Sequence, residues 1–153
     1  LARRAEDGNP LDADMLSRLA IIYQMCGDGE QASRLSERAL SLDQAFPAVP
    51  LMARASVLLT QGRPQQALDQ LAGMANLQPV TAHYHVLQSL ALAQLGRRAE
   101  AQEHWNRLIA LAGMPENARA EDVLRHFSAV DVIVRREAAM LRDAGVVTRR
   151  TAN

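Results

Sequence analysis

The residues of this chain that could do chemistry are few, and their spacing is informative. Four histidines occur, His83, His85, His104 and His126, with one cysteine, Cys26. His83 and His85 are two positions apart, so on a helix their side chains diverge by about 200° and cannot share a metal ion. Cys26 closes a helical stretch just before a turn. A helix C-terminus disfavours a thiolate, so it reads as a small buried apolar residue rather than a nucleophile. Gly27-Asp28-Gly29 has the look of a phosphate loop, but no strand precedes it and no Lys-Ser/Thr follows, leaving an interhelical turn. The pairs Arg3-Arg4, Arg97-Arg98, Arg135-Arg136 and Arg149-Arg150 are dispersed among acids and read as solvated charge, with Arg97-Arg98 placed in a turn where it could meet a partner. No nucleophile–base pattern, paired carboxylates or cofactor motif is present. The expectation is a chain with no catalytic residues, no cofactor and no metal, which is not an enzyme.

Composition points the same way. Seventeen basic residues, all Arg, balance 17 acids, so no net field attracts nucleic acid or an anionic membrane. The absence of Lys reflects a GC-rich genome better than a phosphate site. The single cysteine permits no internal disulfide. No apolar run approaches the roughly 18–20 residues of a membrane span. Together these imply a protein or peptide partner, with no nucleic acid and no direct membrane insertion, and a cytoplasmic location. Apolar residues make up 48% of 153, mostly Ala and Leu with little β-branched clustering, which favours an all-helical fold.

The elements that position any surface are helical hairpins. Within residues 90–111, Leu90, Leu92 and Leu95 precede Gly96-Arg97-Arg98, and Ala101, Trp105, Leu108 and Ile109 follow at helical spacing. Gly96 can turn left-handed, ending the first helix sharply. Gly27, Gly62 and Gly96 recur at spacings of 35 and 34, with Ala32, Ala67 and Ala101 five residues after each. Ser36, Leu71 and Trp105 come next, then Ala39, Met74 and Leu108. Leu19 and Tyr23 lie one turn apart ahead of the first glycine, and Pro79 closes the second copy.

These residues resemble the tetratricopeptide repeat family, a 34-residue helix-turn-helix. The same register carries Pro10 and Ala5, so Leu1–Asp7 reads as the tail of an earlier repeat, and the chain as part of a longer, bacterial protein. Arg54 and Gln88 stand where the family has Leu. The resemblance implies an all-α fold: a right-handed α-solenoid of antiparallel helical hairpins with C-terminal capping helices. Its divisions are a partial repeat at about 1–11, repeats at about 13–46, 48–81 and 82–115, capping helices over 115–147 and a flexible tail over 148–153. The helices are expected at about Leu1–Asp7, Asp12–Cys26, Glu30–Leu42, Pro47–Gln61, Pro64–Asn76, Val80–Leu95, Ala99–Ala112, Arg119–Phe127 and Ala129–Ala144. In the last, Val130, Ile133, Val134, Ala138 and Leu141 face inward, and Asp131, Arg135, Arg136, Glu137 and Arg142 face water.

In this family the first helices line a concave groove. By that resemblance the groove residues are Asp14, Ser17, Ile21, Gln24 and Met25, then Met52, Ser56, Leu59 and Thr60, then His83, Val86, Leu90 and Gln94. An apolar strip with adaptable Met suits a partner helix or extended peptide. Without Lys or Asn, and with Arg18 as its nearby cation, it does not resemble the family members that clamp a terminal carboxylate. The function implied is a scaffold or adaptor module. An alternative is the regulatory or oligomerisation region of a larger signalling enzyme or regulator, because 122–127 and 142–146 resemble the ends of bacterial repeat tails attached to nucleotide cyclases. A homo-oligomer is a third expectation.

Overall fold

A computed structural model of the chain describes residues 12–43, 48–74 and 81–146. Among the described residues there are eight helices and no strand: α1 (Ala13–Met25), α2 (Gly29–Leu42), α3 (Ala48–Thr60), α4 (Pro64–Ala72), α5 (Ala82–Gln94), α6 (Arg98–Ala112), α7 (Ala120–Leu124) and α8 (Asp131–Asp143). The expected helix at Leu1–Asp7, the closing Pro79 and the tail over 148–153 lie outside the described residues. The chain divides into two compact units, Leu1–Gln78 and Pro79–Asn153.

One turn device is used at every hairpin. Gly27, Gly62 and Gly96 sit at φ of 82°, 69° and 71°. At each, the glycine N–H reaches back to the carbonyl three residues earlier and the next N–H to the carbonyl five earlier, as Gly96 does to Ala93 and Arg97 to Leu92 at 3.0 and 2.9 Å. These bonds satisfy carbonyls that the helix end leaves open. A Cβ at any of the three glycines would meet nothing within 4 Å, so conformation and not space demands glycine there.

In the first unit α1 and α2 form one hairpin and α3 and α4 the next, with α3 also packed on α1 and α2. Asp12 and Asp28 cap α1 and α2 by accepting from the Met15 and Gln31 amides at 3.0 and 3.2 Å. Pro64 opens α4, where its missing N–H costs nothing. The core gathers Leu16, Leu19, Ala20, Tyr23, Ala32, Leu35, Ala39 and Val57. The alanines that follow each turn, Ala32, Ala67 and Ala101, are all fully buried. Ser36, Leu71, Trp105, Ala39, Met74 and Leu108 are buried too, so the register read from the glycines is the packing register.

The departures from the repeat pattern have physical accounts. Arg54 is buried at a Leu position because Ser36 stands where the later copies carry Leu71 and Trp105. The smaller side chain leaves room for a guanidinium, which donates to Ser33 and Ser36 at 2.6 and 3.3 Å and pairs with Glu37 at 2.7 Å. Burial lowers the Arg54 pKa while Glu37 opposes the shift. Gln88, also buried, donates to the Tyr84 hydroxyl at 2.9 Å.

In the second unit α5 and α6 form a hairpin, and α8 packs on both α5 and α7. Thr81 caps α5. Trp105 and Leu108 are buried on α6, each such side chain stabilising by about 1.5–3 kcal/mol. Val134, Ala138 and Leu141 of α8 are buried as expected, whereas α7 is only five residues long, shorter than the Arg119–Phe127 expectation. The α8 end is tied down by Arg98, which donates to the Gly145 carbonyl at 2.9 Å, and by an Arg142–Glu121 ion pair. Arg97 pairs with Glu100 at 2.5 Å, so both turn arginines are engaged within the unit.

Candidate partner-binding face

The first helices of the first unit lie side by side, because α3 packs against α1. Gln24 on α1 donates to the Ser56 hydroxyl on α3 at 3.3 Å, which joins two predicted groove residues from successive hairpins. Around that bond, Ile21, Gln24, Met52 and Ser56 are half-buried, while Asp14, Met25 and Thr60 are exposed. Met25 is 45% exposed, and Ile22 beside it 44%. The Gln24 Oε1 is buried without a hydrogen-bond partner. Apolar Ile21, Ile22, Met25 and Met52 thus share α1 and α3 with polar Asp14, Gln24, Ser56 and Thr60, none of them fully buried.

Four of the expected groove residues are inside the protein. Ser17 is fully buried, its hydroxyl turned back onto the Ala13 carbonyl at 2.7 Å. Leu59, Val86 and Leu90 are also buried, at 7%, 3% and 2% exposure. For α5 the reason is local: residues 84–93 are all buried, with α6 and α8 both packed on this helix. The family resemblance assigned an open face to α5, but among the described residues only its two ends remain partly open. Among the α5 positions, His83 and Gln94 remain half-buried; the His83 ring lies 5.8 Å from the Phe127 ring, and burial lowers its pKa.

Cys26, expected to be buried, is exposed at the C-cap of α1. The pairing that sequence reasoning missed is His85 with His104. Comparison of His83 with His85 along one helix separates them correctly, but the hairpin brings His85 of α5 against His104 of α6, Nδ1 to Nδ1, at 2.9 Å. The signal was in the register: His85 and His104 stand where the first copy has Leu16 and Leu35, both fully buried. His85 is pushed down to about 4 by burial, His104 and Arg107. Burial and Arg107 lower the His104 pKa as well, against Glu103 and Glu100. On α8, burial raises the Glu137 carboxyl to about 7, against the pull of Arg136, although the sequence pattern put it on the solvent face. Among the described residues no group of three or more His, Cys, Asp or Glu side chains could hold a metal ion, and no helix is long and apolar enough to cross a membrane.

Antiparallel hairpins with a common turn, a common small-residue contact and a 34- to 35-residue register define a helical-repeat protein. Residues 48–72 and 82–107 match the family model for the tetratricopeptide repeat. The matches cover α3 and α4, then α5 and most of α6. Comparison with curated proteins and with solved structures finds no match. Tetratricopeptide repeats are, as a family, protein-interaction modules, typically non-catalytic.

Proposed function

We propose that the chain is a scaffold or adaptor module that holds a partner peptide or helix on the α1–α3 face of its first unit. The observation that carries this is the Gln24–Ser56 hydrogen bond, which supports a continuous face built from two first helices. Met25 and Ile22 offer apolar area that gains from being covered, at roughly 25 cal/mol per Å². Asp14, Ser56 and Thr60 supply the polar edge that fixes orientation, and Ile21 and Met52 the floor. In the second unit the same role falls to His83 and Gln94 alone. The reading includes right-handed winding of successive hairpins and closure of the second unit's helix stack by α7 and α8.

The test uses a random-peptide library panned on the full chain, with the selected peptide titrated calorimetrically. Met25→Asp and Thr60→Asp are surface substitutions and should leave the helical circular dichroism intact. Together they should weaken binding by at least about tenfold. Unchanged affinity in both variants refutes the α1–α3 face.

A further inference from the structure

His85 and His104 form a titratable pair across the α5–α6 hairpin, and the pair occupies a joint that the first hairpin fills with hydrocarbon. Leu16 and Leu35, fully buried members of one core cluster, are the register equivalents of His85 and His104. We propose that His85 and His104 form an acid-sensitive latch between α5 and α6, closed while the pair is neutral and loosened when protons enter it.

The geometry sets the proton count. At 2.9 Å, Nδ1 to Nδ1, one ring must donate and the other must accept. The neutral pair therefore holds one Nδ1–H ring, with a bare Nε2, and one Nε2–H ring, with a bare Nδ1 inside the bridge. A first proton can enter at the bare Nε2 and leave the bridge intact, but it puts a charge beside Tyr84, whose ring packs edge-on to both imidazoles at 5.3 and 6.1 Å. A second proton must take the accepting Nδ1. Two N–H groups then face each other, and the bridge breaks. Leucines at these positions would pack without any such dependence.

The charges around the pair order the steps. From α6, Glu100 and Glu103 favour a proton on His104, while Arg107 opposes charge on both rings. His104 accordingly charges first and His85 second. Also packed on α5 is α8, whose titratable group in this range is Glu137, with Arg136 beside it. Both histidine pKa values lie below the ordinary 6.5, so their stabilisation is full above that pH and is lost as the pH falls toward the folded value, about 4 for His85. Glu137 and His83 titrate as well, Glu137 with the opposite sign. A comparison of proteins that differ only at the pair removes both contributions.

The experiment is urea unfolding of the full chain at pH 7.5 and pH 5.0, followed by the fluorescence of Trp105, the residue next to His104. With an unfolded value of 6.5 and a folded value of about 4, the unfolding constant should rise by up to about 30-fold over this interval, and by at least about tenfold relative to the His85→Leu/His104→Leu variant. Parallel pH dependence in the two proteins overturns the latch. Should the leucine pair fail to fold, nitrogen-15 resonances of the native imidazoles decide. One Nδ1–H tautomer at pH 7, with a His85 titration well below 6.5, supports the latch, and two rings titrating near 6.5 overturn it.

Discussion

Arg54 should behave as the keystone of the joint between α2 and α3, and the structure gives the size of the effect. Its guanidinium is almost enclosed, with a side chain 10% exposed, and it donates to two serine hydroxyls on α2. Hydrogen bonds from a charged donor contribute about 1.5–3 kcal/mol each at most. The longer bond at 3.3 Å lies at the low end, and Ser36 keeps its own bond to the Ser33 carbonyl at 2.9 Å after the arginine is gone. The Glu37 carboxylate is 60% exposed, so that ion pair adds about 0–1 kcal/mol. Arg54→Ala should therefore destabilise the first unit by about 2–4 kcal/mol, including the void left by the aliphatic stem. Glu37→Ala should cost less than about 1 kcal/mol. Urea unfolding followed by far-ultraviolet circular dichroism measures both, and an Arg54/Ser33 double-mutant cycle should return a coupling of about 1–2 kcal/mol. Equal losses for Arg54→Ala and Glu37→Ala would refute this account, since the exposed ion pair would then carry the joint. So would a loss below about 0.5 kcal/mol for Arg54→Ala.

Other consequences are as direct. Gly96→Ala should cost about 1–2 kcal/mol from its positive φ alone, and D-alanine introduced by semisynthesis should restore stability because the space is open. Ala101→Leu overpacks a fully buried helix contact and should cost about 1–3 kcal/mol or more, measurable by the same unfolding assay. The folded pKa of Glu137 is raised from 4.5 to about 7, so its contribution favours the fold below about pH 4.5 and is lost as the pH rises through 7. Glu137→Gln should flatten that slope and raise the melting temperature at pH 8; a variant no more stable than the native chain at pH 8 contradicts the burial of this carboxyl.

The fold was legible because three glycines and three alanines keep one register. Each marks a position where only a small residue fits or a left-handed turn is required, and those demands survive variation elsewhere. The face was legible only in part. Gln24, Met25, Ser56 and Thr60 could be placed on first helices by spacing, and α1 and α3 do adjoin there. Val86 and Leu90, placed in the groove by the family resemblance, are buried, because a pattern shared by the repeats says nothing about α8, which packs on α5 from some forty residues away. The same limit hid His85–His104: a contact across a hairpin is invisible to comparison along one helix, although the first copy carries fully buried Leu16 and Leu35 at the two positions. Cys26 misled because the chemistry of its type was weighed without the exposure of a helix end.

The central claim is that partners meet the α1–α3 face. Its most direct test is backbone amide chemical-shift mapping of the full chain, titrated with a peptide selected against it. The account predicts shifts concentrated at Asp14, Ile21, Gln24, Met25, Ser56 and Thr60. Shifts concentrated on α2 and α4 with those residues unmoved would contradict it.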